Sequence, residues 1–162
     1  MAIRTERHEL QVSTPGDREI RTEREFAAPR TMVWRAHTEP ELVARWWGRG
    51  NRVDIERFEP QTGGHWRFTE HHEGGSDTFG GRMREVTPQE RIVQTFEWEG
   101  MPGHVIVNHS SFEELPNGRT RIVTISQFHT PEERDGMLHS GMAEGQGQSY
   151  AALDELLATL AA

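Results

Sequence analysis

Residues 130–160 form the longest segment of the sequence with a helical pattern, and this segment constrains the fold more than any other. Thr130, Pro131 and Glu133 predict a helix start, with Thr130 as the N-cap, Pro131 at the first helical position and Glu133 completing a capping box. Small and apolar residues then recur at steps of three and four, which predicts one long C-terminal helix with a single buried face. These residues are Leu138, Met142, Gly145, Ser149, Leu153, Leu156 and Leu160.

The predicted helix is rich in glycine, at positions 136, 141, 145 and 147. A glycine inside a helix costs about 1 kcal/mol relative to alanine, and roughly 2–4 kcal/mol is a large share of a typical stability of about 5–15 kcal/mol. Two explanations are open. Either the helix packs closely on a sheet or is broken near Gly141, or the missing side chains leave a hollow in which a ligand binds.

The composition narrows the class of protein. The 162 residues suffice for one domain with its own core, and no apolar run is long enough to predict a membrane span. There is no cysteine, and all 18 basic residues are arginine, as in many GC-rich bacterial genomes. Disulfides, thiolate metal sites and a catalytic lysine or cysteine are therefore excluded. The net charge of -8 disfavours nucleic-acid binding. The charged first 14 residues lack the apolar core of a signal peptide, so we expect a cytoplasmic protein.

The remaining pattern predicts a sheet that the C-terminal helix covers. Glu19–Phe26 alternates like a strand, and Pro29 and the Thr38-Glu39-Pro40-Glu41 capping pattern each predict a short helix after it. Residues 52–129 contain short strand patterns separated by turn residues, which is typical of an antiparallel meander. A bulge or bend is expected at Gly80-Gly81. The fold class is therefore α+β: a curved antiparallel sheet of six to seven strands wrapped around a long C-terminal helix.

The N-terminal residues contain a short repeat. Residues 3–7 (IRTER) recur as residues 20–24. The recurrence is either chance, which we favour, or a pair of strands joined by a turn at Pro15-Gly16-Asp17. We therefore divide the chain into an N-terminal extension, residues 1–16, with or without an added strand, and a single domain, residues 17–162.

Three stretches of sequence carry a resemblance to a known family: REFAAPRTMVWRAHTEPELVARWWG (residues 24–48), GGHWRF (residues 63–68) and GMAEGQGQSYAALDELL (residues 141–157). Together they resemble the START-like (SRPBCC, Bet v-like) helix-grip superfamily. Within it the chain is similar to the family named for the C-terminal domain of the activator of the heat-shock-chaperone ATPase (AHSA-type). The resemblance implies a deep cavity between sheet and helix that holds a hydrophobic ligand. It does not fix a reaction, because related proteins bind, carry, cyclise or hydrolyse their ligands.

The chain also departs from the family. The eukaryotic chaperone activators carry a separate N-terminal domain that makes much of the chaperone contact, and this sequence has no room for one. Gln146 stands where many relatives have an aromatic residue.

We expect the cavity wall to come from three kinds of residue. Aromatic and apolar side chains on the strands and short helices line ligand cavities well. Polar side chains on otherwise apolar strand faces need a partner, either inside the protein or on a ligand; Gln127 is assigned to the buried face with Val123 and Ile125. The candidates are Trp46, Trp66, Phe68, Phe79, Met83, Gln94, Phe96, Trp98, His109, Gln127, Met142, Gly145, Gln146, Ser149 and Tyr150.

No motif identifies catalytic residues. The sequence has no nucleophile elbow and no pair of carboxylates at an interpretable spacing. Glu70, Glu97 and His109 are candidates for an acid or base in a cavity. The nine histidines lack a spacing that fixes a shared site, so we expect no metal and no cofactor.

Three functions follow as hypotheses. The first is a protein that binds a small hydrophobic molecule without chemistry. The second is a cyclase- or hydrolase-type enzyme that uses the same cavity and needs an acid or base projecting into it. The third is an interaction module that contacts a chaperone. The sequence is compatible with a monomer or a homodimer.

Overall fold

The computed structural model describes residues 9–161. Eight antiparallel strands form one sheet in the order β1-β2-β8-β7-β6-β5-β4-β3. The strands are β1 (Gln11–Ser13), β2 (Glu19–Phe26), β3 (Arg52–Phe58), β4 (His65–His72), β5 (Gly75–Thr87), β6 (Arg91–Trp98), β7 (Ile106–Leu115) and β8 (Arg119–Gln127). The helices are α1 (Arg30–Thr38), α2 (Pro40–Val43), α3 (Pro131–Leu138) and α4 (Met142–Ala161).

The predicted fold class is confirmed: a large antiparallel sheet holds a long C-terminal helix, and two short helices follow the strand Glu19–Phe26. The eighth strand lies in the N-terminal extension, where an added strand was one of two alternatives. This strand, β1, pairs with β2 through Gln11 and Glu23 across the turn at Gly16. Of the two copies of the IRTER repeat, residues 3–7 lie outside the described residues.

The glycine pair in β5 does not form the bulge that was one of the two predicted alternatives. The strand register passes through Gly80 and Gly81 without a shift, and the bulge lies between Met83 and Glu85. A Cβ atom at Gly81 would lie 2.0 Å from the carbonyl oxygen of Thr95 on the neighbouring strand β6. Glycine is therefore required at position 81 because the backbone of β6 approaches closely, and not because β5 bulges there.

The start of the second short helix was also wrongly predicted. The N-cap of α2 is Glu39, without a side-chain hydrogen bond, and Pro40 takes the first helical position. Thr38 belongs to α1, where its hydroxyl donates to the carbonyl of Trp34 at 2.9 Å. Threonine can satisfy its hydroxyl against the preceding helical turn as well as at an N-cap, and here it does the former.

The C-terminal segment is two helices and not one. The predicted start is confirmed, since Thr130 Oγ1 accepts a hydrogen bond from the Glu133 amide at 3.1 Å. The break lies between Leu138 and Met142, where Gly141 has φ of 85°. Glycine adopts this left-handed conformation without steric cost, so it ends one helix and allows the next to begin in a new direction.

The two halves of α4 have different surroundings. Leu153, Leu156 and Leu157 in its C-terminal half are buried in the main core together with Phe26 and Val33. The side chains from Met142 to Gly147 are at most half-buried. The fold thus packs one half of the helix solidly and leaves the other half over a hollow. No helix among residues 9–161 combines the length and the apolar character that crossing a bilayer requires.

Candidate ligand-binding cavity

A cavity of about 570 Å³ lies between the inner face of the sheet and the N-terminal half of α4. Its wall is completed by the end of α2 and the segment after it, by His37 of α1, and by the end of α3 and the link to α4. Ligand sites in proteins commonly have volumes of about 300–1,000 Å³. The hollow is therefore large enough for a small organic molecule.

Most of the residues predicted for the cavity lie on its wall. These are Trp46, Trp66, Phe68, Phe79, Met83, Gln94, Phe96, Trp98, Met142, Gly145, Gln146, Ser149 and Tyr150. Their contact with a ligand remains a prediction.

His109 and Gln127 are placed elsewhere, and their assignment to the cavity is corrected. Side chains alternate between the two faces of a strand, and β8 turns Ile122, Thr124 and Ser126 towards the cavity. Gln127 therefore lies on the outer face, where its Oε1 atom is 2.9 Å from Nε2 of His109. Arg91 donates to the other ring nitrogen of His109 at 3.1 Å. The pair belongs to a polar cluster outside the sheet.

The aromatic part of the wall is organised around Trp47. Its ring meets Phe68 edge-on at a centroid distance of 5.2 Å and an interplanar angle of 90°, and it contacts Phe79 at 5.5 Å. Phe79 in turn stacks on Phe96 at 5.3 Å. Such ring pairs are rigid and expose flat apolar faces. This side of the cavity is therefore suited to a flat or apolar ligand.

Between apolar side chains, strands β6–β8 also carry a row of polar side chains on the wall. Ser126 donates to Asn108 Oδ1 at 2.6 Å, and the hydroxyls of Ser110 and Thr124 are 2.9 Å apart. Asn108 also lies opposite Gln94 in the strand register. The carboxamide of Gln94 forms no side-chain hydrogen bond to the described residues. This row of five side chains, the polar row, therefore keeps donors and acceptors for a molecule in the cavity.

An ion pair between the exposed Arg49 and the buried Glu70 forms another part of the wall. Glu70, only 3% exposed, accepts hydrogen bonds at Oε2 from Arg49 Nε at 3.0 Å and from Asn51 Nδ2 at 2.8 Å. Arg49 Nη2 lies 2.8 Å from the same oxygen. Within residues 9–161 no donor reaches Glu70 Oε1. The carboxylate is thus held firmly on one side and retains one acceptor on the other.

The backbone at Arg49 is held in a left-handed conformation, with φ of 58°. The Arg49 amide donates to Ser149 Oγ at 3.2 Å, and this hydroxyl donates to the Trp47 carbonyl at 2.9 Å. A strained residue persists only where its surroundings fix it, and such residues concentrate at functional sites. Ser149 therefore shapes the cavity indirectly, because its hydroxyl holds the loop residues Trp47 and Arg49 against α4.

Sequence reasoning missed His37, which lies on the cavity wall. Its ring packs edge-on against Phe112 at 5.0 Å and tilted against Trp46 at 4.7 Å. Burial lowers the pKa of His37 to about 4, so the ring is neutral at pH 7. The helical spacing of Val33, Ala36 and His37 was the available signal, because it places the histidine on the buried face of α1.

The other candidate acids and bases divide between the cavity and the surface. Glu70 lines the cavity, whereas Glu97 Oε2 accepts from the Gly103 amide at 2.7 Å in the loop after β6. Asp77, not predicted, lines the cavity and accepts from Trp98 Nε1 at 3.1 Å. Burial raises the pKa of the Tyr150 phenol, and Gln146 and Arg24 oppose this only in part. Residues 9–161 contain no cluster of three or more side chains suited to holding a metal ion.

Comparisons with known proteins identify relatives of the same architecture. A crystal structure of a protein from Rhodobacter sphaeroides superposes on this chain with a TM-score of 0.86 at 27% identity. The match covers 93% of this chain and 99% of that one. The match to a Nitrosomonas europaea protein covers 90% of this chain and 97% of that one, with a TM-score of 0.77 at 26% identity. A Mycobacterium smegmatis protein, at 21% identity, shows the fold alone, with coverage of 93% and 98% and a TM-score of 0.81.

No curated protein matches the sequence. The model of one protein family does match, over residues 27–158, and its description is Activator of Hsp90 ATPase homolog 1-like protein. The match spans most of the described chain and confirms the resemblance inferred from the three sequence stretches. The chain belongs to the family of Activator of Hsp90 ATPase homolog 1-like proteins, with the helix-grip fold.

Proposed function

We propose that this protein binds a small, largely apolar molecule in the cavity between the sheet and α4. The observation that carries the proposal is the division of the wall into an aromatic side around Trp47 and a polar row on β6–β8. A site of this kind takes up the apolar body of a ligand on one side and orients its polar groups on the other.

The energetics favour such a ligand. Apolar area removed from water contributes about 25 cal/mol per Å², so a ligand that buries about 200 Å² gains roughly 5 kcal/mol before the costs of association. The wall is held in place before binding by the ring contacts of Trp47 and by the hydrogen bonds of Ser149. Little of the binding free energy is then spent on ordering the site.

A fluorescence titration with N-phenyl-1-naphthylamine, a neutral apolar dye, tests the proposal. We expect saturable binding of one dye per chain. Ser110→Trp places a large side chain in the cavity and should abolish binding, whereas Ser111→Trp, the matched control, adds the same side chain on the outer face of β7. Equal dye binding by the two variants, or no saturable binding by the unmodified protein, would overturn the proposal.

A second candidate function is acid–base catalysis in the same cavity. The specific observation in its favour is that His37, Glu70 and Asp77 all lie on the wall. Glu70 suits this function best, because its Oε1 atom accepts no hydrogen bond from the described residues. Hydrolysis of 4-nitrophenyl butyrate that disappears in Glu70→Gln, with dye binding retained, would support catalysis. An unchanged rate in this variant would remove the candidate.

A chaperone is the protein partner that the family description supports. The chain exposes large apolar side chains near the end of β6, namely Trp98, Met101 and Val105. We expect any contact with an Hsp90-type chaperone to use this surface. The measurement is the ATPase rate of the chaperone with the unmodified protein and with Met101→Glu. We expect weaker stimulation by Met101→Glu, and no stimulation by the unmodified protein would exclude activation of the chaperone.

A further inference from the structure

The ring of His37 presents one nitrogen to the protein and the other to the cavity. Its Nδ1 atom lies 2.8 Å from the carbonyl oxygen of Val33. A carbonyl oxygen only accepts hydrogen bonds, so Nδ1 carries the proton and donates. In the neutral ring, Nε2 then holds a lone pair and can only accept.

No donor in the described part of the chain reaches Nε2 of His37. Nor is this atom enclosed by protein, since the enclosed side-chain atoms of residues 9–161 that lack a hydrogen bond are Arg30 Nε and Arg121 Nε. His37 lines the cavity, so Nε2 opens onto it. The result is an acceptor without a partner, set between the rings of Trp46 and Phe112.

The chemistry around this nitrogen selects the group it would bind. A carboxylate has no proton to donate, and a neutral imidazole in this tautomer has none to offer at Nε2. An ammonium group would have to give up its hydration, and the neutral imidazole offers it no opposite charge in return. A hydroxyl group meets both conditions, because it is neutral and it donates.

We propose that His37 is a specificity-determining residue of the cavity, whose Nε2 atom accepts a hydrogen bond from a hydroxyl group of the ligand. The preferred ligands are therefore aromatic or alicyclic alcohols and phenols, and the corresponding ethers and hydrocarbons bind more weakly. This inference rests on the proposed ligand-binding function. It adds to that function the polar group that the ligand must carry.

The test compares 2-naphthol with its methyl ether, 2-methoxynaphthalene, which has the same ring system but no donor. By displacement of N-phenyl-1-naphthylamine at pH 7, we expect the unmodified protein to prefer 2-naphthol by about five- to tenfold, the effect of one hydrogen bond. His37→Phe keeps a flat ring between Trp46 and Phe112 and should bind both compounds without this preference. Equal affinities in the unmodified protein, or a preference that survives in His37→Phe, would overturn the inference.

A second measurement needs no variant and applies even if His37→Phe does not fold. Nitrogen NMR of the ¹⁵N-labelled imidazole should show the Nε2 resonance of His37 shifting on addition of 2-naphthol and staying in place with 2-methoxynaphthalene. If 2-naphthol binds and the resonance does not move, the role of His37 is wrong while the cavity remains a binding site. If neither compound nor the dye binds, the cavity proposal itself fails, and the role of His37 with it.

Discussion

Gly145 on α4 makes room for the side chain of Arg49. A Cβ atom at position 145 would lie 3.0 Å from Arg49 Cδ, closer than an ordinary van der Waals contact. Arg49 also binds Glu70 on β4, so the glycine allows helix, loop and sheet to meet around one guanidinium group. Two explanations were open for the glycines of this helix, namely close packing or a break near Gly141, and space for a ligand. At position 145 the space is filled first by a side chain of the protein that itself lines the cavity.

Gly147→Ala and Gly145→Ala should therefore differ in their effect on stability. A Cβ at Gly147 meets nothing within 4 Å, so alanine there should raise the free energy of unfolding by about 0.5–1 kcal/mol through helix propensity. Alanine at 145 presses on Arg49, which Glu70 holds, and should lose most or all of that gain. Urea denaturation of the two variants measures the difference. Equal stabilisation by both variants would show that the Arg49 side chain moves aside at no cost in free energy.

Breaking the ion pair between Arg24 and Asp154 should destabilise the fold. Arg24 is 5% exposed and donates two hydrogen bonds to the Asp154 carboxylate, at 2.7 and 2.6 Å, which join β2 to α4. Asp154→Asn leaves the buried Arg24 charge without its counter-ion and should cost about 2 kcal/mol, less than for a fully buried pair because Asp154 is 35% exposed. The control is Glu114→Gln at the exposed pair with Arg30, 3.6 Å apart. A thermal or urea unfolding experiment in which both variants lose equally little would refute the assignment.

Stability should depend on pH through His37. Because the folded-state pKa is about 4, below the ordinary value, the unfolded chain binds a proton near pH 5–6 that the folded chain does not. The free energy of unfolding should thus fall by about 2 kcal/mol between pH 7 and pH 5 from this group alone. His37→Phe should lack that part of the loss, and His129→Gln, at an exposed site, should retain it. Identical pH profiles for all three proteins would contradict the buried, neutral state of His37.

Much of the fold was predictable from local patterns, as two strands illustrate. Glu19–Phe26 and Arg91–Trp98 begin and end where their alternation does, because each strand has one face against a continuous interior. The break at Gly141 was one of two alternatives for the helix. Sequence alone did not decide between them, since glycine is tolerated inside a helix as well as in the left-handed conformation that ends one.

The cavity was harder to predict, and β8 shows the reason. Its inner face carries Ile122, Thr124 and Ser126, whereas its outer face carries Val123 and Ile125. Apolar residues normally mark the buried face of a strand, and here the wall of the cavity is the more polar of the two. The usual rule therefore assigned Gln127 to the wrong side. The contact of Arg49 with Glu70 was not predictable either, because it joins distant elements through a strained backbone position.

The same two faces provide a test of the polar row. Asn108→Leu removes from the inner face an amide that can donate to the oxygen of the ligand's hydroxyl group, so the affinity for 2-naphthol should fall several-fold. Gln127→Leu makes the same kind of change on the outer face and should leave the affinity unaltered. The dye-displacement titration measures both. An equal change in the two variants would mean that the binding site is not on the inner face.

The central claim is that a small molecule occupies the cavity in the cell. Native mass spectrometry of the protein, purified from the cells that naturally produce it, tests this most directly. We expect a species with the mass of the chain plus one small molecule, which is lost on denaturation, absent from Ser110→Trp and retained in Ser111→Trp. Bare chain alone in the unmodified protein, or an added mass that Ser110→Trp retains in full, would contradict it.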